Sequence, residues 1–203
     1  MTHGQTPDTD SAIVRAGMYE LLAAGFLHPD QGLAAAIAYG SFAADAVGTT
    51  EALLASAQSL PVPTEASAEG TEALYHALAV EYARLFIGAP AAAVWPYESV
   101  QVDAGPDSSP VLMVSPSARA VLAAYREAGL NMVEGLNEPP DHIATEFEFM
   151  HYLCVKEALA GETRESDEAQ EWHSIRSRFL REHLGVWGID FAHNVAANAT
   201  NGF

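Results

Sequence analysis

The stretch EPPDHIATEFEFMHYL, residues 138–153, concentrates the side chains of this chain that could carry chemistry. It holds two histidines, His142 and His151, together with Glu146 and Glu148, and these residue types serve as metal ligands and as general acids and bases. At 3.6 residues per turn, His142 and Glu146 lie one turn apart within the apolar side of the helix, whereas Glu148 lies on the polar side. We therefore expect His142 and Glu146 to face the protein or a ligand and Glu148 to face water.

A metal site is the first chemistry to weigh. Glu148 and His151 form an E-x-x-H pair, the helical motif of di-iron bundles, which requires a second copy and two further glutamates. The chain contains no second copy. A metal-dependent helical-bundle enzyme using the 138–153 carboxylate/His cluster therefore stays open as an alternative without a complete ligand set. We expect no bound metal and no cofactor.

Acid–base or nucleophilic catalysis has even less support. The chain lacks a G-x-S-x-G elbow, a phosphate-binding P-loop and an H-E-x-x-H motif. The pair Asp141–His142 has no third member that the sequence identifies as part of a triad. We expect no catalytic residue.

A recognition surface is the third interpretation of the same stretch. Pro139 and Pro140 exclude helix before them, and Asp141 is predicted as the N-cap that fixes the position of His142. A helix N-terminus also raises the local positive potential. The simplest alternative is that His142 and Glu146 only hydrogen-bond a neighbouring loop, as buried polar groups usually do.

Composition limits the class of partner. The formal net charge is −18, and Lys156 is the only lysine among the nine basic residues. Such a chain repels phosphate backbones and attracts basic partners, although solubility or a saline habitat would equally explain its acidity. One cysteine, Cys154, allows no internal disulfide. The first ten residues lack the features of a secretory signal, and no apolar run is long enough to span a bilayer, so we expect a cytoplasmic protein without stable membrane insertion.

The hydrophobic pattern is helical nearly everywhere and indicates an all-α fold of nine or ten helices in a single domain over residues 1–203. A helix near the N-terminus is apolar on all sides and is therefore predicted to be central. The helix over 166–184 is predicted to bury Trp172 and His183 on one stripe with its other apolar residues. Residues 59–70 and 89–116 read as loops and 130–140 as a hinge. The helices are predicted over 10–28, 30–39, 49–58, 71–87, 117–129, 141–159 and 166–184, followed by a short last helix around 191–195.

Three motifs in order resemble one known family. They are EYARLFIG at 81–88, PYESV at 96–100 and EPPDH at 138–142, the last followed by the helix start TEFEFM. Together they resemble the redox-enzyme maturation chaperones of the TorD/DmsD type, with the nitrate-reductase chaperones as a more distant branch. The resemblance covers about residues 80–155. Tyr82 stands where some members have tryptophan, which preserves an aromatic wall and puts the peptide preference in question.

The resemblance implies a non-catalytic, cytoplasmic chaperone of anaerobic respiration. Such proteins bind the twin-arginine signal peptide on the catalytic subunit of a molybdopterin oxidoreductase of the dimethyl-sulfoxide-reductase type. They hold that subunit until cofactor insertion, before export. Which molybdoenzyme is the client, and whether guanine nucleotide or molybdenum cofactor is bound, stays open. The implied peptide-binding residues are Tyr82, Leu85, Phe86, Pro96, Tyr97, Glu98, Pro139, Asp141, His142 and, by adjacency on the helix, Glu146.

A twin-arginine signal has a paired positive charge followed by an apolar segment, so its receptor needs carboxylates beside an apolar groove. We expect Glu98, Asp141 and Glu146 to meet the arginines. Tyr82, Phe86 and Tyr97 would then receive the apolar segment as an amphipathic helix. His142 is a candidate pH-sensitive element, because its charge changes near neutrality. A generic helical protein-binding adaptor stays open as another alternative, and both a monomer and a helix-swapped dimer are compatible with the loops.

Overall fold

The computed structural model describes residues 9–54, 68–88, 91–103, 115–131, 139–163 and 165–201. Within these ranges the regular structure is helical, and the one β-type contact is an isolated antiparallel bridge between Tyr97 and His142. The prediction of an all-α fold is confirmed. The α-helices are α1 (Thr9–Phe26), α2 (Gln31–Ala38), α3 (Ser41–Leu54), α4 (Ala68–Tyr82), α5 (Pro116–Glu127), α6 (Ile143–Glu162), α7 (Ser166–Glu182) and α8 (Leu184–Asn198), with π-helical turns at Ala83–Ile87 and Ser99–Asp103.

Helix α6 is the centre of the core, because α1 packs along one side of it and α7 along another. Its apolar face is fully buried, as at Ile143 and Met150. Phe149 packs against Tyr125 of α5 and Phe179 of α7, with ring centroids 4.6 and 4.8 Å apart. Such aromatic pairs add to the burial of apolar area that holds the helices together.

Helix α1 is apolar on all sides, but only part of its surface is buried in the core. Its small residues, such as Ala12 and Ala16, are buried against the core. Its larger apolar residues are only half-buried at Leu21 and Leu22 and exposed at Ile13. One side of α1 therefore packs on α6, while another side borders the surface cavities described below.

Several helix ends follow the capping chemistry of the sequence. Ser115 Oγ accepts a hydrogen bond from the Ala118 N–H at 3.0 Å, and Pro116 takes the first helical position of α5. Asp30 caps α2 in the same way through the Leu33 N–H. Gly129, at φ 80°, follows α5 as expected for a helix stop.

The predicted cap of α6 is wrong by one residue. The N-cap is His142, whose Nδ1 accepts from the Ala144 N–H at 3.2 Å. The carboxylate of Asp141 turns away and accepts from the Ser99 N–H at 2.8 Å instead. The hydrogen bond from Ser99, which is 42 residues away in the sequence, takes the place of the predicted cap at Asp141. The residues around Asp141 give no indication of such a long-range contact.

Three other boundaries differ from the expectation. Helix α3 begins at Ser41 rather than 49, because Gly40 adopts φ 77° and lets the chain turn directly from α2 into α3. Helix α4 begins at Ala68, within the segment predicted as loop. Helix α8 has 15 residues and is not short. On α7, Trp172 is only half-buried, and His183 lies at the junction with α8.

Parts of the predicted loops and hinge lie outside the described residues. These are 59–67 of the first loop, 89–90 and 104–114 of the long connection, and 132–138 of the hinge. The described part of the long connection is structured, since residues Ser99–Asp103 form a π-helical turn. In the part of the chain that the structure describes, no helix is both long and apolar enough to cross a membrane.

A charged network ties α1, α6 and α7 together inside the protein. Glu157 of α6 is 1 % exposed and accepts from Arg176 Nε at 2.6 Å. His173 Nδ1 lies 2.9 Å from the same carboxylate, and Arg15 of α1 lies 3.5 Å from it. A buried carboxylate needs such partners, because an unpaired buried charge costs several kcal/mol.

Candidate functional site

The first three predicted site residues lie at the end of α4 and border an apolar pocket of about 330 Å³. Leu85 and Phe86 are buried, and Tyr82 is half-buried. All three lie on one side because residues three and four apart share a helix face, and α4 continues directly into a wider π-helical turn at Ala83–Ile87. Most of the other described lining residues come from α1, α2, α3, α8 and the segment after α8, among them Leu22, Phe26, Ile37, Val195 and Ala199.

The turn must stop at Gly88. Its backbone has φ 62° and ψ 152°, a region open only to glycine. A Cβ at this position would also clash with the backbone of Ala91. This glycine therefore sets the direction in which the chain leaves the pocket and runs toward residues 96–99.

Glu81 closes one edge of the pocket by holding the C-terminal segment. Its carboxylate accepts two hydrogen bonds from Arg84 at 2.8 Å, and a third from the Thr200 hydroxyl at 2.9 Å. The Thr200 backbone N–H also donates to it. The hydrogen bonds from Arg84, supported by those from Thr200, lower the pKa of Glu81 to about 2. At neutral pH the anchor is therefore a carboxylate.

The remaining predicted residues form a second group, in which residues 96–99 lie against the N-terminus of α6. The Ile143 N–H donates to the Pro96 carbonyl at 2.9 Å, and the Glu98 N–H donates to the Asp141 carbonyl at 3.0 Å. The rings of Tyr97 and His142 meet edge to face at 5.2 Å. Two of the three motifs, PYESV and EPPDH, thus contact each other.

Inside this second group the carboxylates are buried. Glu98 is 3 % exposed, and Asp141 and Glu146 are 0 % exposed. Glu98 lies 3.1 Å from Nδ1 of His183, a distance that fits a hydrogen bond between the carboxyl group and the imidazole. His183 had been predicted only as a buried residue, and its pairing with Glu98 was missed because the two are 85 residues apart.

Glu146 is the least satisfied member of this group. Among the described residues, neither of its oxygens has a hydrogen-bond partner of good geometry, and neither has the indole nitrogen of Trp187. Burial first, and the neighbouring charge of Glu98 second, raise the pKa of Glu146 well above its ordinary value, although the indole of Trp187 acts in the opposite direction. Glu146 is therefore expected to hold a proton more readily than an exposed glutamate does.

Neighbouring groups respond to the same environment. Burial raises the pKa of Asp141, and the hydrogen bonds from Ser99 partly offset that effect. The phenol of Tyr125 donates to the Pro140 carbonyl at 2.8 Å, and its pKa is raised well above the usual range, first by burial and then by Glu146. A proton on Glu146 would reduce this concentration of negative charge.

The structure does not bring all the predicted residues to one surface. Tyr82, Leu85 and Phe86 open onto a pocket, whereas the acids of the second group face inward. The two groups are connected by packed rings, since Phe191 lies 6.1 Å from Phe86 and 5.2 Å from Trp187 between ring centroids. An arginine reaches Glu98, Asp141 or Glu146 only if residues 96–99 move away from α6.

The E-x-x-H pair does not form a metal site in this fold. Glu148 is exposed, as predicted, while His151 is half-buried with Nδ1 3.0 Å from the carbonyl of Ala16. In the described residues no three side chains of His, Cys, Asp or Glu are grouped to hold a metal ion. The described residues therefore provide no set of metal ligands for the alternative of a metal-dependent enzyme.

The family model described as "Nitrate reductase delta subunit" matches residues 43–193, which is most of the chain. The chain belongs to this family. The match includes both groups of site residues and therefore covers the pocket wall from α4 and the contact between residues 96–99 and α6.

Curated relatives have names that fit this family. The chlorate reductase assembly chaperone protein of Ideonella dechloratans is 31 % identical over 80 residues, covering 39 % of this chain and 40 % of that protein. Chaperone protein TorD of Vibrio cholerae is 29 % identical over 117 residues, covering 57 % of this chain and 48 % of that protein. The perchlorate reductase assembly chaperone protein of Dechloromonas aromatica is 40 % identical over 63 residues, covering 31 % and 27 %. The chain thus spans less than half the length of each of these relatives.

A crystal structure of a candidate redox enzyme maturation protein from Archaeoglobus fulgidus is 20 % identical and covers 87 % of this chain and 95 % of that one. Its TM-score is 0.40, and at that value the likeness supports no further conclusion. The named relatives are called chaperones. The predicted membership of this family is confirmed.

Proposed function

We propose that this chain is a cytoplasmic chaperone that binds the twin-arginine signal peptide on the catalytic subunit of a molybdopterin oxidoreductase of the dimethyl-sulfoxide-reductase type. It holds that subunit until the cofactor is inserted, and the subunit is exported afterwards. Family membership and the names of the relatives support the chaperone role. The identity of the client enzyme, the binding of its twin-arginine signal peptide and the cytoplasmic location are what we propose beyond this role.

One structural observation carries the peptide part of the proposal. The motif residues Tyr82, Leu85 and Phe86 border an apolar pocket that reaches the surface. Its volume of about 330 Å³ is at the lower end for ligand sites, enough for a few apolar side chains of a bound segment. A helical signal segment presents such side chains at intervals of three and four residues, which suits binding in a groove.

The buried second group suits a different task from the one first expected. Hydrogen bonds between residues 96–99 and α6 fix the chain that leaves the pocket wall, so Pro96, Tyr97, Glu98 and Pro139 belong to the proposed site as parts of its frame. Asp141, His142 and Glu146 lie beneath them. Direct contact of these acids with arginine stays a prediction that requires movement of residues 96–99.

Calorimetric titration with a synthetic twin-arginine signal peptide tests the proposal. Saturable binding that weakens with added salt and with an Arg-Arg→Ala-Ala peptide is expected, because charge-assisted contacts are screened. Tyr82→Ala should weaken binding by about tenfold through loss of apolar contact. Tyr75→Ala is the matched control, because this half-buried tyrosine lies on the same helix and outside the pocket.

Three outcomes separate the candidate functions. No binding by the wild-type protein, even at low salt, would reject the proposal and leave a helical adaptor for another partner. Equal loss of binding in both tyrosine variants would argue against the pocket as the site. Binding that ignores the arginines would show that the protein recognises apolar segments in general.

A further inference from the structure

A second and larger cavity lies between α1, α2 and α3, with a volume of about 850 Å³. None of the candidate site residues lines it. We call it the acidic groove, because Glu20, Asp30 and Asp45 border it. Small residues form much of its described lining, namely Gly17, Ala24, Gly32, Ala36, Ala44 and Gly48.

Two of these glycines lie inside helices without a packing reason among the described residues. A Cβ added at Gly17 of α1 or at Gly48 of α3 would meet no atom within 4 Å. A glycine within a helix costs about 0.5–1 kcal/mol relative to alanine. Both positions border the groove and leave the helix backbone open to close approach by another chain.

The charge of the groove is of one sign. Among the described residues that line it, none is lysine or arginine, and His28 is the one ionisable base. Glu20 and Asp45 are exposed. They differ in this respect from Glu98 and Asp141, which are buried and already bonded within the protein. A concave surface lined by one sign of charge attracts the opposite charge.

The acidic groove adjoins the apolar pocket. Leu21 of α1 and Phe42 at the start of α3 line both cavities, so the two share a wall. A segment lying over this wall would place one end among carboxylates and the other among apolar side chains. That arrangement matches a peptide in which paired positive charges precede an apolar segment.

We propose that the acidic groove receives the paired arginines of the signal peptide, with Glu20 and Asp45 as their partners, while the apolar segment enters the pocket beside Phe86. This inference rests on the proposed function. It makes Glu20 and Asp45 the first contacts of the arginines, in place of the buried acids Glu98, Asp141 and Glu146. Arginine suits the role, because its planar fork binds a carboxylate through two hydrogen bonds.

The test is titration of the full chain with the synthetic twin-arginine peptide and with its Arg-Arg→Ala-Ala form. Glu20→Gln/Asp45→Asn should weaken binding of the twin-arginine peptide by about tenfold and reduce its salt dependence. The same change should leave binding of the Ala-Ala peptide unaltered. The double substitution Glu162→Gln/Glu171→Gln removes two exposed carboxylates outside the groove and serves as the charge-matched control.

A filling variant tests the shape of the groove separately from its charge. Gly48→Leu adds a Cβ where no atom lies within 4 Å and raises helix propensity, so the fold should be retained. We expect it to weaken binding of the twin-arginine peptide by about tenfold or more, with an unfolding midpoint at or above that of the wild type. Circular dichroism of each variant verifies the fold.

The outcomes distinguish this inference from the function on which it rests. If Tyr82→Ala weakens binding but neither Glu20→Gln/Asp45→Asn nor Gly48→Leu does, the arginines bind elsewhere and only the inference fails. If the acid variant loses as much affinity for the Ala-Ala peptide as for the arginine peptide, the acids act without the arginines and the inference also fails. If the wild type binds neither peptide, both fail.

Discussion

Replacing Glu146 by glutamine should stabilise the protein increasingly as the pH rises. The folded protein keeps Glu146 protonated because burial and the charge of Glu98 raise its pKa well above 4.5. The unfolded chain releases that proton above about pH 4.5. Between these two pKa values the folded state binds the extra proton, so the stability of the wild type falls as the pH rises.

The size of the effect follows from the linkage. Each pH unit within this window costs the wild type about 1.4 kcal/mol of unfolding free energy through Glu146. From about pH 5 to about pH 7 the difference between Glu146→Gln and wild type should grow by up to about 2.7 kcal/mol, provided that Glu146 keeps its proton throughout. Glutamine does not titrate, and its amide N–H provides a donor near Glu98 in place of the O–H of protonated Glu146. The raised pKa of Asp141 also makes the stability of the wild type fall as the pH rises, and Asp141 is unchanged in the variant, so we expect its contribution to cancel in the comparison.

Urea unfolding at several pH values, followed by circular dichroism, measures this difference. Glu162→Gln is the control, because its carboxylate is exposed near the end of the same helix and is hydrated in both states. A difference between Glu146→Gln and wild type that stays constant or shrinks with rising pH would refute the reasoning. It would mean that Glu146 is ionised in the folded protein and that its neighbours stabilise the charge.

Three further predictions concern other parts of the fold. Arg176→Met should destabilise the protein by about 3 kcal/mol in urea unfolding, because it removes the closest partner of buried Glu157. Gly88→Ala should cost about 3 kcal/mol in the same assay, through backbone strain and a clash with Ala91. In NMR spectra the amide resonance of Thr200 should titrate with a midpoint near 2 and not near 4.5, because this amide donates to Glu81, whose pKa is lowered to about 2. The hydrogen bonds between Thr200 and the Glu81 carboxylate are kept above that pH and are lost as the pH falls through it.

For each of these three predictions, a control variant or a different measured result would contradict the reasoning. Arg178→Met removes an exposed pair with Glu127 and should cost less than about 1 kcal/mol, so equal costs at 176 and 178 would contradict the role of burial. Gly129→Ala places its Cβ in open space at a positive φ and should cost less than Gly88→Ala. A Thr200 midpoint near 4.5 would show that Arg84 does not hold the Glu81 carboxylate.

The fold was predictable where local chemistry decides it. Ser115 and Pro116 marked the start of α5, and the apolar stripe of α7 was recognised from its spacing. Helix α3 was misplaced because its alanines, glycine and threonines give a weak apolar pattern, and its position depends on packing against α1. The all-round apolar character of α1 was read as burial alone, although part of it borders two cavities.

The site was less predictable than the fold. Two of the motifs contact each other in the fold, since residues 96–99 lie against the start of α6, but their part in binding stays a prediction. The sequence did not show that Glu98 and Asp141 would be buried, because burial depends on residues far away in the chain, such as His183. Glu20 and Asp45 belong to no motif, and only the relative placement of α1 and α3 brings them to one cavity.

The contacts of residues 96–99 also constrain how the protein folds. They join Ser99 to Asp141 and Glu98 to His183, which are 42 and 85 residues apart. Closing such loops costs chain entropy before the contacts repay it. We expect α6 and its neighbours to form the folding nucleus and these contacts to form after the rate-limiting barrier, with φ-values near zero for substitutions at Ser99 and His183. A newly made chain would then acquire its helical core before the segment beside the pocket is fixed, so binding competence would be the last property to appear.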